Sequence, residues 1–408
     1  MIVGGYGTLN PDFGCGQLPI GANYTALIYK LSPAGACLWQ KAFVDPGPNH
    51  KSEVKAVTTD AAGNVFIAGI FFNGIKIGNM SYAAVSVDES DIFLAKFDSA
   101  GTYQWSKKFG SAGSQVLKGI RADSQGNVVI TGMFSNTINF GPTAATNLVS
   151  AGQLDIFLAK FDGAGTHLWS KKFGDVSQQA GYGLAIDSSD NITFVGPNYS
   201  TVNCGGGNMV SAGLGDIIVC KFNAAGNYLY QKKFGDAADQ TPLAVATDAG
   251  GNVVVVGTFA GTVDFGGGQM ITTQNPNDAW IAKLSPDLGT TLWAKSGGGP
   301  DNQEFDSVSV DPMGNAVASG FISGSGDFGK GNLVSGGVQD MLVVKYDSAG
   351  ATAWSKRFGA AGTELGRSTA TNSSGEAYTT GVCGPTDFGS GVQMGAGGEE
   401  LCVVKLAP

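Results

Sequence analysis

The phrase Asp91-Ile-Phe-Leu-Ala-Lys-Phe-Asp98 occurs seven times along the chain in stronger or weaker form, and this repetition constrains the fold more than any other feature. It returns at Asp155 to Asp162, as Asp216-Ile-Ile-Val-Cys-Lys-Phe-Asn223, as Asp278-Ala-Trp-Ile-Ala-Lys-Leu284 and as Asp340-Met-Leu-Val-Val-Lys-Tyr-Asp347. Weaker copies stand at Thr25 to Leu31 and Glu400 to Leu406. The copies lie about 60 to 65 residues apart, and a fixed period of that size marks one supersecondary unit stacked many times. The repeat runs from end to end without a linker, so residues 1–408 are expected to form one domain.

Aligning the copies gives four strand-like segments per unit. The first is rich in small residues, as in Gly183-Leu-Ala-Ile186 and Leu243-Ala-Val-Ala246. A tight turn follows, with the acceptor and glycine such turns require, as in Asp123-Ser-Gln-Gly-Asn127 and Asp248-Ala-Gly-Gly-Asn252. The second strand is Val128-Val-Ile-Thr-Gly132 or its equivalent, the third is the repeated phrase, and a second turn such as Asp98-Ser-Ala-Gly101 leads to the fourth. Strands two and three are apolar on both faces, as expected when sheets stack against sheets on each side. Radial repetition of four-stranded sheets answers that need, which predicts an all-β propeller. Small residues then belong innermost around a central channel, and Trp39, Trp105, Trp169, Tyr230, Trp293 and Trp354 belong on the outer strand, where blades diverge.

These units resemble the SBBP type of bacterial β-propeller repeat, read on the Gly-Asn turn, the Asp-Phe-Gly segment, the Asp-Ile-Phe-Leu-Ala-Lys-Phe strand and the following Trp. The resemblance covers nearly the whole chain. It implies a propeller and a bacterial, secreted or cell-envelope setting, and it implies no activity, because that family is defined by its repeat.

The second and third strands occur seven times, the first and fourth only six, so the chain begins at a second strand and ends at a third. This count predicts a seven-bladed propeller of four-stranded antiparallel blades with an incomplete closing seam. The alternative is six-bladed, but it leaves apolar Ala26-Leu-Ile-Tyr29 on an unpaired edge.

Composition narrows the function classes. A net charge of -9 disfavours nucleic acid, which needs clustered Lys and Arg. No apolar run approaches the length of a membrane helix, so membrane insertion is not expected. Met1-Ile-Val-Gly-Gly-Tyr lacks the basic start and apolar stretch of a leader and reads as the middle of a repeat, as in a trimmed piece or mature form. The six cysteines, Cys15, Cys37, Cys204, Cys220, Cys383 and Cys402, sit at unlike places in the repeats, which argues against a repeated metal site. Cys204 with Cys220, and Cys383 with Cys402, are close enough in sequence to pair in an oxidising compartment, with buried thiols as the other reading.

Both tight turns fall at one end of the strands, so function is expected at the other, where the long connections run. Asp12-Phe-Gly14, Asn139-Phe-Gly141, Asp264-Phe-Gly266, Asp327-Phe-Gly329 and Asp387-Phe-Gly389 lie in those connections and read as turn-capping residues with a tucked Phe, since no kinase motif accompanies them. Gln115, Gln179, Gln240 and Gln303, with Glu364 in the last unit, share one repeat position and are candidates for an amide ring that binds ligand; the alternative is that each satisfies backbone groups of its own blade. Arg121 is the large cation among small first-strand residues and is a candidate anion contact, with a carboxylate partner as the competing reading.

Asp91, Asp155, Asp216, Asp278 and Asp340 lack the spacing of a calcium loop, so no metal is expected there. Lys96, Lys160, Lys221, Lys283 and Lys345 are expected to pair with such carboxylates or to snorkel. Two unlike histidines, His50 in the insertion Asp45-Pro-Gly-Pro-Asn-His50 and His167 in an outer strand, give little support to catalysis, and no cofactor motif is present. The leading expectation is a non-enzymatic, extracytoplasmic scaffold for glycan or protein. A polysaccharide hydrolase or lyase using Asp301, Glu304 and Asp306 is the rival, and a structural subunit that takes a neighbour's strand at the seam is the third reading.

Overall fold

Each copy of the repeated phrase is the third strand of an antiparallel sheet in the computed structural model, which describes residues 1–20, 23–44, 50–86, 88–266, 268–271, 277–388, 392–393 and 400–408. Seven such sheets follow one another, five with four strands and two with three, as the blades of a β-propeller. Blade 1 is Ile2–Gly7, Thr25–Leu31 and Cys37–Ala42; blade 7 is Leu365–Thr371, Ala377–Cys383 and Glu400–Leu406. Blade 1 therefore has no first strand and blade 7 no fourth among the described residues, as the strand count predicts, and the six-bladed alternative falls. By contacts the chain divides into two compact units, Met1–Leu184 with Ser200–Asn203, and Ala185–Tyr199 with Cys204–Pro408.

In the first unit, blade 2 is Lys51–Thr59, Val65–Phe72, Asp91–Phe97 and Tyr103–Phe109, and blade 3 is Gln115–Ala122, Val128–Phe134, Asp155–Phe161 and His167–Phe173. Third strands are buried on both faces: in blade 3 every residue from Asp155 to Phe161 is buried. That burial includes Lys160, whose ammonium lies 2.8 Å from Asp123 in the first turn of its own blade. Asp123 also accepts the backbone N–H of Gln125 and Asn127 and the Asn127 amide, so one carboxylate folds the turn and neutralises the lysine. The lysines do pair with carboxylates, but with those of the first turn and not with the strand-opening aspartates.

The aspartates that open the third strands serve the other end of the blade. Asp155 accepts the N–H of Ala151 at 2.9 Å and the ammonium of Lys172 at 3.2 Å, which pins the long connection to the fourth strand. Asp91 does the same with Val85 and Lys108.

The aromatic of the fourth strand reaches the next blade by a hydrogen bond as well as by packing. Trp105 Nε1 donates to Gly163 O at 3.1 Å, and Lys96 donates to the same carbonyl at 3.0 Å, tying blade 2 to the second turn of blade 3. Gly165 in that turn has φ +82, and a β-carbon there would lie 3.1 Å from the indole. Here glycine is needed both for the left-handed backbone and for the close approach.

In the second unit, blade 4 comprises Gly183–Ile186 (which the unit boundary crosses), Ile192–Asn198, Asp216–Phe222 and Tyr228–Phe234. Blade 5 is Gln240–Thr247, Val253–Phe259, Asp278–Leu284 and Thr291–Gly297, and blade 6 is Gln303–Val310, Ala316–Ile322, Asp340–Tyr346 and Thr352–Phe358. The same bonds recur, with Trp293 donating to Ser348 O and Lys221 to Pro286 O.

The long connections of blades 2 to 7 each carry a small two-stranded ribbon, such as Thr137–Asn139 with Asn147–Val149 and Ser325–Asp327 with Asn332–Val334. The Asp-Phe-Gly segments of blades 5 and 6 end the first ribbon strand, with the expected turn cap and tucked Phe: Asp327 accepts the N–H of Gly329 at 2.7 Å and Phe328 is buried. Residue 389 of the last such segment and residues 45–49 of the insertion lie outside the described residues. His50 Nδ1 donates to Gly74 O at 3.1 Å, and His167 packs edge-on against Phe161.

All six cysteines are paired, Cys15 with Cys37, Cys204 with Cys220 and Cys383 with Cys402. The first pair joins the long connection of blade 1 to its fourth strand, across a sequence separation of 22.

Candidate ligand-binding site

Gln115, Gln179, Gln240, Gln303 and Glu364 are fully buried, so their amides and carboxylate do not ring an open mouth. Each turns back into its own blade. Gln179 accepts the N–H of Asp175 and donates to its carboxylate, and Gln240 does the same with Asp236 and also donates to Ala260 O. Glu364 accepts the N–H of Ala360 and Gly384. These side chains hold the loop that enters each first strand. Arg121 is half-buried, donates to Ile120 O at 2.8 Å, and meets no carboxylate at ion-pair distance among the described residues. Burial pushes its pKa down.

The variable polar groups come instead from a β-bulge that recurs in the first strand. Register shifts occur between Val54 and Ala56, Leu117 and Gly119, Pro242 and Ala244, Phe305 and Ser307, and Gly366 and Ser368. The bulged residues are therefore Lys55, Lys118, Leu243, Asp306 and Arg367, and Tyr182 stands at the same repeat position in blade 4. A bulge re-aims the side chain it carries, and here it projects the least uniform residues of the repeat.

The glycine of the second strand makes the bulge possible. A β-carbon on Gly257 would lie 2.0 Å from Thr241 O, and one on Gly320 would lie 1.9 Å from Glu304 O, because the bulged strand pushes its carbonyl into that space. Gly257→Ala is expected to lower unfolding stability by about 1–3 kcal/mol, the usual cost of overpacking a filled site. A urea midpoint equal to wild type would show that the bulge does not need this glycine.

In the first unit the strand that carries Lys55 also lines an aromatic cavity. Tyr6, Tyr24, Lys51, Ser52, Glu53, Ile70 and Phe72 line a space of about 200 Å³ at the long-connection end of blades 1 and 2. Tyr6 and Tyr24 are each 50% exposed and meet edge to face at 5.1 Å. The first strand of blade 2 alternates around it: Ser52 and Val54 are buried, while Lys51, Glu53 and Lys55 face outward. Ser52 takes the place of the repeated Gln and accepts the N–H of Ala26, which leaves this corner open where blades 3 to 6 fill it with an amide and blade 7 with a carboxylate. Glu53 is bound by Lys55 at 2.6 Å. Lys118 follows, its ammonium 4.7 Å from the centre of the Tyr182 ring. Burial first, then repulsion from Lys55, lowers the pKa of Lys118, and Glu53 opposes the shift.

In the second unit the equivalent positions hold an acid pair. Glu304 hydrogen-bonds to Asp306, and Arg367 lies 3.2 Å from Asp306. Burial, then the bond and charge of Asp306, raise the pKa of Glu304 to about 8, against the pull of Arg367. Asp301 is exposed in the loop before this strand. Between the ordinary carboxyl value near 4.5 and about 8, folded Glu304 keeps a proton that the unfolded chain loses. Stability from this group is therefore fully present below the unfolded pKa and falls as pH rises to about 8. Glu304→Gln is expected to flatten the decline of Tm between pH 5 and 8; an unchanged slope would refute the proton assignment.

Among the described residues no group of three His, Cys, Asp or Glu side chains is placed to hold a metal, and no helix is long and apolar enough to cross a membrane.

No family model matches the chain. It is 23% identical over 421 residues to an uncharacterized WD repeat-containing protein of Acanthamoeba polyphaga mimivirus, covering 84% of this chain and 30% of that protein. It is 24% identical over 240 residues to the regulatory protein FlaEY of Caulobacter vibrioides, covering 58% of this chain and 25% of that protein. The chain thus spans less than a third of the length of the curated relatives it matches. Among solved structures, a Bacteroides caccae protein of unknown function aligns with a TM-score of 0.42 at 12% identity, over 82% of this chain and 89% of that one. Sqt1 from Chaetomium thermophilum aligns with a TM-score of 0.43 at 10% identity, over 97% of this chain and 80% of that one.

Proposed function

We propose that the protein is a non-enzymatic binding scaffold acting outside the cytoplasm, with glycan or protein ligands taken at the long-connection end of its blades. The observation that carries this reading is the cavity bounded by half-exposed Tyr6 and Tyr24, a rigid aromatic corner with charged groups on its remaining wall. Three disulfides and no free cysteine support an oxidising compartment. The likeness to a WD repeat-containing protein agrees with an interaction role.

The hydrolase reading draws on Glu304 and Asp306. Their carboxyls share a hydrogen bond, which sets them closer than the roughly 5 to 9.5 Å that separates the acid and its partner in most glycosidases. A glycan array and a peptide array probed with wild type and with Tyr24→Ala test the scaffold reading. Ligands retained by wild type and lost by the variant are expected. Identical profiles from the two proteins would remove the aromatic cavity as the binding site, and turnover of a bound polysaccharide that stops on Glu304→Gln would overturn the non-enzymatic reading.

A further inference from the structure

The cavity on blades 1 and 2 has a size, a wall chemistry and a charge that together specify one kind of occupant. Its volume of about 200 Å³ is below the roughly 300–1,000 Å³ of sites for drug-sized molecules, so it holds a single ring. Two phenol rings at 74° to each other form a corner with Phe72 and Ile70 behind it. A saturated chair-shaped ring with polarised axial C–H bonds on one face and equatorial hydroxyls on its edge suits such a corner, because those hydrogens meet the negative aromatic face. The opposite wall offers an ammonium, a carboxylate and a hydroxyl to the ring's edge.

The charge is distinctive in a chain of net -9. Lys55 already neutralises Glu53 at 2.6 Å. Lys51 lines the cavity and has no carboxylate at ion-pair distance among the described residues, so with Glu53 neutralised this wall carries an excess of positive charge.

We infer that the Tyr6–Tyr24 cavity binds an acidic sugar residue, its ring packed on the two tyrosines and its carboxylate or sulfate directed to Lys51. This inference rests on reading the cavity as the ligand site. A neutral sugar lacks the group that uses the cation, and an acidic peptide side chain carries the charge but not the ring that the two tyrosines pack.

The test is titration of the whole chain, followed by saturation-transfer NMR, with glucuronic acid, N-acetylneuraminic acid and galactose 6-sulfate, each against its uncharged counterpart (the methyl ester for the two carboxylates, galactose for the sulfate). At least one acidic member is expected to bind several-fold more tightly than its counterpart, with the preference shrinking as salt is raised. Lys51→Met is expected to reduce that preference about fivefold, in line with one partly exposed charge pair of about 1 kcal/mol. Tyr24→Ala is expected to abolish binding of both members, with far-UV circular dichroism unchanged. Equal binding of charged and neutral members would overturn the acidic assignment while leaving the cavity as a ligand site. If no sugar produces a signal, the saccharide assignment fails, and the peptide array decides the scaffold reading separately. Acidic binding that survives Lys51→Met and Tyr24→Ala unaltered would also overturn the inference, by placing the site elsewhere.

Discussion

Asp187→Ala is expected to lower the unfolding free energy by about 3–5 kcal/mol, the range found when one member of a buried ion pair is removed. Lys221 sits 2.9 Å from Asp187, with side-chain exposures of 3% and 4%. Its remaining partner is Pro286 O in the next blade at 3.0 Å, which cannot neutralise an ammonium. Asp187 also accepts the N–H of Ser189 and Asn191 and the Asn191 amide, so the substitution dismantles the first turn of blade 4 as well.

Burial alone would raise the pKa of Asp187, but Lys221 and the Asn191 donors together hold it below the ordinary carboxylate value. Its stability contribution is therefore present above the unfolded pKa and lost as pH falls through the folded one. Urea unfolding near neutral pH gives the comparison. The double variant Asp187→Ala with Lys221→Met, which removes both charges, is expected to recover a large part of the loss, since an uncharged pair leaves no stranded ion. A single-variant loss under about 1 kcal/mol, or no recovery in the double variant, would show that the pair does not act as a unit.

The same interaction shows where sequence reasoning reached and where it stopped. The repeat placed Lys221 and Asp187 on a third strand and in a first turn, but the repeat also offered Asp216 at the start of the same strand. Which carboxylate takes which cation depends on the direction a side chain leaves a strand, and two residues of one type at fixed spacing do not specify it. Trp105 was legible as filler between diverging blades; its hydrogen bond to Gly163 depends on the path of a neighbouring turn. The glutamines were legible as a recurring position. Their burial follows from the loop that precedes each first strand, whose shape the repeat does not encode in any periodic apolar pattern.

The candidate site was least legible, because it arises where the repeat is irregular. Lys55, Lys118, Leu243, Asp306 and Arg367 occupy one bulge position but range from basic through apolar to acidic. The signal was present in Gly132, Gly257 and Gly320, glycines inside strands, which mark a bulge or a close backbone approach. Ser52 gave a second signal as the small residue standing where other units carry Gln or Glu.

Replacing Cys383 and Cys402 together by serine is expected to cost about 3 kcal/mol, the chain-entropy value for a closed loop of this size, from a bridge spanning 19 residues. The effect is expected to concentrate in one strand. Glu400–Leu406 pairs with Ala377–Cys383 and has no fourth-strand partner among the described residues, and Leu401 is 45% exposed. Cys204–Cys220 spans 16 residues, but Asp216–Phe222 is hydrogen-bonded on both sides, to Ile192–Asn198 and Tyr228–Phe234. Both bridges close loops of similar length, so the entropic term is alike, and what differs is how many ladder bonds resist local opening once the bridge is gone. Hydrogen exchange separates the two cases. The blade 7 variant is expected to lose protection along Glu400–Leu406, and the equivalent blade 4 variant to keep it along Asp216–Phe222 while still losing global stability. Equal loss of protection in both strands would mean that opening is global, and that the bridge in the three-stranded sheet has no special local role.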